Sequence, residues 1–367
     1  MFLGKFKTWA ATVLRNRLFY PLWSANILPT RLLYPLMRGG DCKVLSSDPL
    51  IIYVKDWVIR SQPLALLPVL RQYNDRIIHI LVSFSWNQDD PLHIKQLINW
   101  QMQYLSRYPR HKIIYMSNSN AEYNVLVSSG LKTIFVSSNT FVSPAIFKPL
   151  QKSEKRFDAV YDARINPYKR HVLATGIKNL ALITARSPSH HDKSYTRLVM
   201  DFLPQAHYFN NPLSDDYKWM SLSDINAAIN QCRVGLCLSA VEGAMYASMQ
   251  YLLAGLPVVS TQSRGGRDEF FSPEYVRIVA DNPEAVAAGV KEMCNCPLTA
   301  EEIRCRTLDK IEEHKKRFFE LLDSLCFDDE WRAQMRLRWD SWGYRPASIV
   351  RPSVISKRIE NVAKAIA

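Results

Sequence analysis

The sequence predicts an α/β protein of two domains. Three observations carry this. Short apolar strands alternate with helical segments through both halves of the chain. The stretch from Val234 to Phe271 reads as a complete strand–loop–helix–strand unit. And 367 residues is about twice a typical domain of roughly 100–200 residues.

In the first half, Leu50 to Val54 and Arg76 to Phe84 are strand candidates. The second is followed by the polar loop SWNQDDP, whose Asp90 and Pro91 suit the N-cap and first position of a helix. That helix is expected from about Leu92 to Tyr108, with Ile94, Leu97, Ile98 and Met102 on its apolar face. Lys112 to Met116 and Thr133 to Val136 are further strands, separated by a short helix that begins in SNSNAEY and ends at Gly130. The polar run Gln151 to Lys155 marks the expected boundary. It gives an N-terminal domain over 1–150, a C-terminal domain over 151–330, and a tail over 331–367 whose Trp331, Trp339 and Trp342 suggest packing.

In the second half, strands are expected at Asp158 to Ala163, Leu180 to Thr184, Ala206 to Phe209, Val234 to Ser239, Pro257 to Thr261 and Val276 to Ala280. Helices are expected at Leu222 to Gln231, capped by Ser221 or Ser223, at Asn282 to Met293, and at Thr299 to Leu325 as one helix or two. Val234 to Ser239 is a short buried-type strand. AMYASMQYLLAG has helical length and closes on Gly255, a natural C-terminal stop, before the β-branched PVVST. Such a unit places a polar loop, here containing Glu242 and Gly243, at the carboxyl end of a strand. Open α/β sheets bind ligands there, and helix N-termini favour anionic groups.

The chain carries a net charge of +13, which points to an anionic partner. From Met1 to Gly40 there is no acidic residue, while Lys5, Lys7, Arg15, Arg17, Arg31 and Arg38 are basic and Phe2, Phe6, Trp9 and Val13 recur at helical spacing. Such a segment suits an anionic membrane surface, or else packs on the N-terminal domain with its basic face in water. No apolar run reaches the roughly 18 residues of a spanning helix, and the apolar stretch is too broken for a signal peptide. No helix-turn-helix, zinc-finger or RNA-binding signature accompanies the charge, so no nucleic-acid partner is expected. The seven cysteines read as free thiols of a reducing compartment. Cys232 and Cys237 flank a core strand, and Cys294 and Cys296 lack companions at zinc-site spacing. No metal site is expected.

Two motifs together resemble the retaining GT-B glycosyltransferases, in particular glycosyltransferase family 4. The first is Glu242, followed by a helix and by AGLPVV (Ala254 to Val259). The second is DAVYDARINPYKRH (Asp158 to His171), a strand followed by Arg164 and, at a helix start announced by Pro167, by Lys169. The segment SSNTFVSPAIFKPL is similar to the end of such an enzyme's N-terminal domain. The resemblance covers Asp158 to Pro283 best, weakens over Lys112 to Pro149, and is architectural before that. The family's second acidic residue is replaced here by Gln250, which brings no charge.

The resemblance implies two Rossmann-like domains facing a cleft, with the tail crossing back to the N-terminal domain. It implies metal-independent transfer of a hexose-like sugar, with retention of configuration, from a nucleoside-diphosphate sugar to a glycan or lipid-linked acceptor. Polysaccharide biosynthesis, in the cytoplasm or on the inner face of a membrane, is the setting it suggests. The donor is a substrate, so no cofactor is expected. Arg164 and Lys169 would hold the diphosphate, Glu242 the donor sugar, and Gln250 the ribose. The backbone amides of Gly243 and Ala244, at the helix start, would assist near the phosphates. On the acceptor side, His79, Asp89, Asp90 and His93 are candidates. The alternatives are a sugar-nucleotide-binding protein of this fold without transferase activity, motivated by Gln250, and an epimerase or phosphorylase of this fold.

Overall fold

The structure is a computed structural model that describes residues 39–60, 67–73, 75–186, 192–326, 328–337, 339, 349–350 and 352–364. The basic segment from Met1 to Arg38 and Trp342 lie outside the described residues. The chain divides into two compact units, Met1–Phe135 with Arg317–Ala367, and Val136–Lys316. The division falls between Phe135 and Val136, ahead of the polar Gln151–Lys155 run. The segment after Phe135 belongs to the second unit because its backbone is tied there. Lys148 N–H donates to Asn226 Oδ1 at 3.2 Å and Leu150 N–H to Asn230 Oδ1 at 2.9 Å.

In the first unit, the two-residue strand β1 (Gly39–Gly40) pairs antiparallel with Ile349–Val350. The main sheet runs β2 (Lys43–Ser47), β3 (Leu50–Lys55), β4 (Ile78–Ser83), β5 (His111–Ser117), β6 (Thr133–Phe135) in that order. β2 pairs antiparallel with β3, and the others are parallel. β3 is buried along its whole length, as an apolar strand covered on both faces must be. Helix α1 (Pro91–Arg107) is capped by Asp90, whose carboxylate accepts from Leu92 N at 2.9 Å and His93 N at 3.1 Å. It buries Ile94 and Leu97, but Met102 is 66% exposed. The expected apolar stripe stops there, because later turns bring other residues such as Tyr104 to the core. Helix α2 (Asn120–Ser128) ends as expected at Gly130, whose φ of 78° is open to glycine at no steric cost.

The second unit holds β7 (Phe157–Asp162), β8 (Leu180–Ile183), β9 (His207–Tyr208), β10 (Cys232–Cys237), β12 (Val258–Thr261) and β14 (Val276–Val279) in one parallel sheet, ordered β14-β12-β10-β7-β8-β9. This is the doubly wound order. The chain starts in the middle at β7, builds outward through β8 and β9, then returns past it to β10. A separate two-residue ladder pairs β11 (Val241–Glu242) in parallel with β13 (Arg264–Gly265). Helix α3 (Lys193–Phe202), capped by Asp192, was not signalled by its sequence pattern. Helix α4 (Leu222–Asn230) starts on a capping box between Ser221 and Asp224.

Helix α5 (Tyr246–Leu253) is fully buried from Ala247 onward. It closes on Gly255 (φ 76°) with Gly255 N–H donating to Leu252 O at 3.0 Å and Leu256 N–H to Tyr251 O at 2.9 Å, the paired bonds of a Schellman stop. Helix α6 (Pro283–Met293) is capped by Asn282. Helix α7 (Ala300–Leu325) is a single 26-residue helix that carries the chain from the second unit back to the first.

The tail then belongs to the first unit. Helix α8 (Asp329–Leu337) buries Trp331, whose indole N–H donates to Leu45 O at 2.9 Å. Helix α9 (Pro352–Lys364) places Ile355 and Ile359 in the same core as Ile52, Val54, Ile80 and Val82.

Candidate active site

The order of the second unit's sheet fixes where a ligand crevice can form. β7 and β10 are neighbours whose connections leave in opposite directions, so the loops past their carboxyl ends part and open a gap. Both sequence motifs lie in these two loops. Arg164, Asn166 and Lys169 follow β7, while Ser239, Glu242 and Gly243 follow β10.

Lys169 and Glu242 meet there. The Lys169 ammonium bonds Glu242 Oε1, with both side chains almost buried at 11% and 8% exposure. Lys169 does not stand at the start of an α-helix as the sequence suggested. It ends a 3-10 turn, Pro167–Lys169, capped by Asn166. The turn stops because Arg170 takes the left-handed conformation, φ 51° and ψ 45°. That unusual backbone is held by the Arg170 side chain. Its Nε donates to Leu238 O at 2.6 Å, Nη1 to Asp281 Oδ2 at 2.7 Å, and Nη2 to Thr261 Oγ1 at 2.7 Å. One guanidinium thus ties the β7 loop to the ends of β10, β12 and β14. From the other side, the Tyr161 hydroxyl donates to Lys169 O at 2.6 Å. The cation is therefore presented by a rigid loop.

Glu242 is positioned by the small ladder. Opposite it, Gly265 has φ 106°, and Gly266 N–H donates to Gly243 O at 2.7 Å. Beneath it lies Arg267, fully buried. Its Nη1 donates to Cys237 O at 2.9 Å and Ser239 O at 2.5 Å, its Nη2 to Ser260 Oγ at 2.7 Å, and its Nε to Asp268 Oδ1 at 2.6 Å. Neither Arg170 nor Arg267 was singled out from sequence. The signal was only a pair of ordinary arginines, and their roles come from carbonyls contributed by distant strands.

Arg164 Nε and Ser239 Oγ, just past the ends of β7 and β10, and Gln250 Oε1 on α5 are buried polar atoms with no hydrogen-bond partner among the described residues. Arg164 also has no ion-pair partner among the described residues, in contrast to Lys169. Buried groups of this kind are normally satisfied, so each of the three keeps an open hydrogen-bonding capacity among the described residues. Gln250 lies on α5, 4% exposed. The Tyr251 hydroxyl next to it accepts from Asp162 N at 2.5 Å, fixing α5 against the end of β7. The helix itself begins at Tyr246. Gly243 and Ala244 therefore precede it and lie in the turn after β11, rather than at the helix start as the sequence suggested.

Burial shapes the neighbouring charges. It raises the Asp162 carboxyl to about 7, against the pull of Lys169. It lowers His171 to about 3, with Lys169 adding to the effect, so that imidazole is neutral at physiological pH.

The four acceptor-side candidates do not gather in the first unit. Asp89 and Asp90 follow β4 at its carboxyl end. Asp90 is the cap of α1, and His93 is exposed on that helix's first turn. His79 lies near the amino end of β4, paired across to Ile51 and Lys112. Burial, with Lys132 and Lys112 nearby, lowers its pKa. The strand's length separates it from the aspartates. A buried carboxylate that sequence reading missed does lie at the carboxyl end. Glu122, on the first turn of α2, accepts from Gln88 N at 2.8 Å and Asn118 N at 2.6 Å. Its place three residues after the cap Ser119 reads as capping chemistry, which concealed it.

Among the described residues no group of His, Cys, Asp and Glu could hold a metal ion, and no helix is long and apolar enough to cross a membrane. The described cysteines are all free, with Cys232 and Cys237 fully buried.

No protein-family model matches the chain, and no curated protein matches it. Solved structures do. HepE from Anabaena in complex with UDP is 13% identical, with 71% of this chain and 82% of that one covered and a TM-score of 0.53. Sucrose-phosphate synthase from Thermosynechococcus elongatus is 12% identical over 75% and 73%, TM-score 0.54. A mutant of S. aureus TarM, in complex with fondaparinux, alpha-GlcNAc-glycerol and UDP, is 12% identical over 70% and 53%, TM-score 0.50. The fold is GT-B. At these identities the likeness concerns architecture, and the reading of the site rests on its own geometry.

Proposed function

We propose that this protein is a retaining glycosyltransferase that moves a sugar from a nucleoside-diphosphate sugar to a glycan or lipid-linked acceptor. The observation that carries the reading is the grouping at the β7/β10 crevice. Arg164 has no ion-pair partner among the described residues, Lys169 is held by Glu242, and unsatisfied Gln250 lies on the adjoining helix. In the proposed reaction the bond from the sugar's anomeric carbon to the diphosphate breaks and a bond to the acceptor oxygen forms on the same face. The acceptor's proton passes to the departing phosphate oxygen. Arg164 and Lys169 stabilise the charge that collects on the leaving group, where fixed donors contribute most. Lys169 has three N–H donors, so it can keep Glu242 while reaching a phosphate. Glu242 then orients donor hydroxyls, the turn at Gly243 and Ala244 lies beside the phosphates, and Gln250 Oε1 accepts from a ribose hydroxyl. No metal ion enters the proposal.

A second reading, nucleotide-sugar binding without transfer, is favoured by Gln250 alone. A neutral amide at this place binds a hydroxyl with roughly half the strength of a charge-assisted bond. The test is a thermal-shift series with UDP, GDP, ADP and CMP, followed by measurement of nucleotide release from the matching sugar nucleotide. HepE was solved with UDP and with UDP-glucose, so UDP is the first probe. A ligand at about 100 times its dissociation constant stabilises by roughly 2.7 kcal/mol. Binding with release that depends on added acceptor establishes the transferase reading, binding without release the second one, and no shift with any nucleotide removes both.

The expected membrane docking of Met1 to Gly40 falls almost entirely outside the described residues and remains part of the proposal. Salt-sensitive flotation with anionic vesicles checks it.

A further inference from the structure

Asp162 is an ionisable group at the crevice to which the proposed reaction gives no task. It is the last residue of β7, two before Arg164, so it stands at the strand end where the crevice opens. Its place is fixed. The backbone N–H donates to the Tyr251 hydroxyl at 2.5 Å, and Tyr251 belongs to the buried helix α5 that also carries Gln250. Asp162 is partly exposed, and its carboxyl has no hydrogen-bond or ion-pair partner among the described residues.

The groups around that carboxyl are few. Lys169, from the turn after β7, is the charged group that acts on it, and Lys169 is already bonded to Glu242. From α5 comes the Tyr251 hydroxyl. Burial and the Asp162 carboxyl raise its pKa well above the usual phenol value, so it stays neutral. On β8 the strand partner of Asp162 is Ile183. On the other side β10 ends at Cys237, whose thiol burial pushes up to about 12. His171, in the turn that follows Lys169, is neutral as well. Burial, opposed by Lys169, brings the Asp162 carboxyl to about 7, so both of its forms are within reach near neutral pH.

A diphosphate would select between those forms. An ionised carboxylate only accepts hydrogen bonds, as phosphate oxygens do, whereas a protonated carboxyl has an O–H to donate. Like charges close together also raise a carboxyl's pKa. A diphosphate drawn in by Arg164 and Lys169 would therefore draw a proton onto Asp162.

We propose that Asp162 is a third contact for the donor diphosphate and binds it as the neutral acid, so that each donor bound above neutral pH brings one proton with it from solvent. This role rests on the nucleotide-sugar reading of the crevice, since it needs the diphosphate there.

The test is isothermal titration calorimetry of the full chain with UDP-glucose, GDP-mannose and ADP-glucose, whose diphosphates do not themselves titrate near neutral pH. Paired buffers of different ionisation enthalpy count the protons taken up. For a donor that binds, wild type should take up about one proton at about pH 8, and its Kd should rise about tenfold from about pH 6 to about pH 8. Asp162→Asn has a neutral amide that still donates, so its Kd should stay level over this range with no proton uptake. Asp162→Ser, equally unable to ionise, serves if the amide variant does not fold. Wild-type binding without proton uptake overturns the role of Asp162, as does uptake that persists in the non-ionising variant. Either result leaves the nucleotide-sugar reading standing. No binding of any of the three donors to wild type at either pH removes that reading and the role of Asp162 together.

Discussion

Lys169 and Glu242 hold opposite charges almost out of water, and this changes what their substitution means. Removing one partner of a buried pair leaves the other uncompensated, which costs about 3–5 kcal/mol, whereas replacing both by apolar groups is often near neutral. Lys169→Met should therefore lower stability by about 3 kcal/mol, and Lys169→Met/Glu242→Leu should recover most of it. Arg164→Met should stay within about 1 kcal/mol of wild type, since no ion pair among the described residues is broken. All three should lose transfer, Arg164→Met by about 10²–10³-fold. Urea unfolding beside nucleotide release measures both. Comparable instability in Arg164→Met and Lys169→Met, or an active Arg164→Met, would contradict the division of roles. The two residues look alike in sequence, as cations after a strand, and differ because only one reaches a buried carboxylate.

At the scale of elements, loops rather than helices position the second unit's candidate site, and buried side chains hold loops in each unit. Arg170 joins three strand ends, Arg267 supports the Glu242 ladder, and Glu122 holds the Ser85–Asp89 loop. α5 approaches the sheet closely because Gly235 has no Cβ. One placed there would fall on the Tyr251 ring. Glu122 gives this scale a pH dependence. Burial raises it from 4.5 to about 7, opposed by its bonds from Asn118 and Gln88. A carboxyl with a raised folded pKa stabilises fully below its unfolded pKa, and that stability is lost as pH rises toward the folded value. Glu122→Gln cannot ionise and escapes the loss. Its single amide oxygen can accept only one of the two N–H bonds, so the variant should lie below wild type near pH 5, and should gain on it by on the order of 3 kcal/mol between pH 5 and pH 8. Urea midpoints at the two pH values check this, and a variant that loses ground to wild type as pH rises would contradict the assigned direction.

At the scale of the whole chain, the first unit is discontinuous. Its core takes Ile355 and Ile359 from the tail, and Trp331 closes it over Leu45. Arg358 bonds the Asp41 carboxylate and donates to Cys42 O at 2.8 Å. A chain ending at Leu325 should therefore lose the first unit's protection and keep the second's, because Val136–Lys316 contains its own sheet intact. Limited proteolysis with mass mapping reads this directly. Cleavage spread evenly over both units would show that the second depends on the tail as well.

The sequence by itself determined the α/β class, most strands of both sheets, the cap Asp90, a cap at Ser221 or Ser223, and the stops at Gly130 and Gly255. These are local matters of apolar period, capping chemistry and backbone conformation, all written within a few neighbouring residues. The family resemblance of two motifs, rather than any local rule, brought Arg164, Lys169 and Glu242 into view. Tertiary structure decided the rest. It alone paired Lys169 with Glu242 and gave Arg164 no such carboxylate among the described residues. It moved the start of α5 past Gly243 and Ala244, buried Gln250 with an unsatisfied oxygen, set His79 apart from Asp89, and made Arg170, Arg267 and Glu122 into supports. The physical reason is the same throughout. Burial and long-range partners depend on which strands lie side by side, and a parallel sheet makes neighbours of residues that the chain keeps far apart.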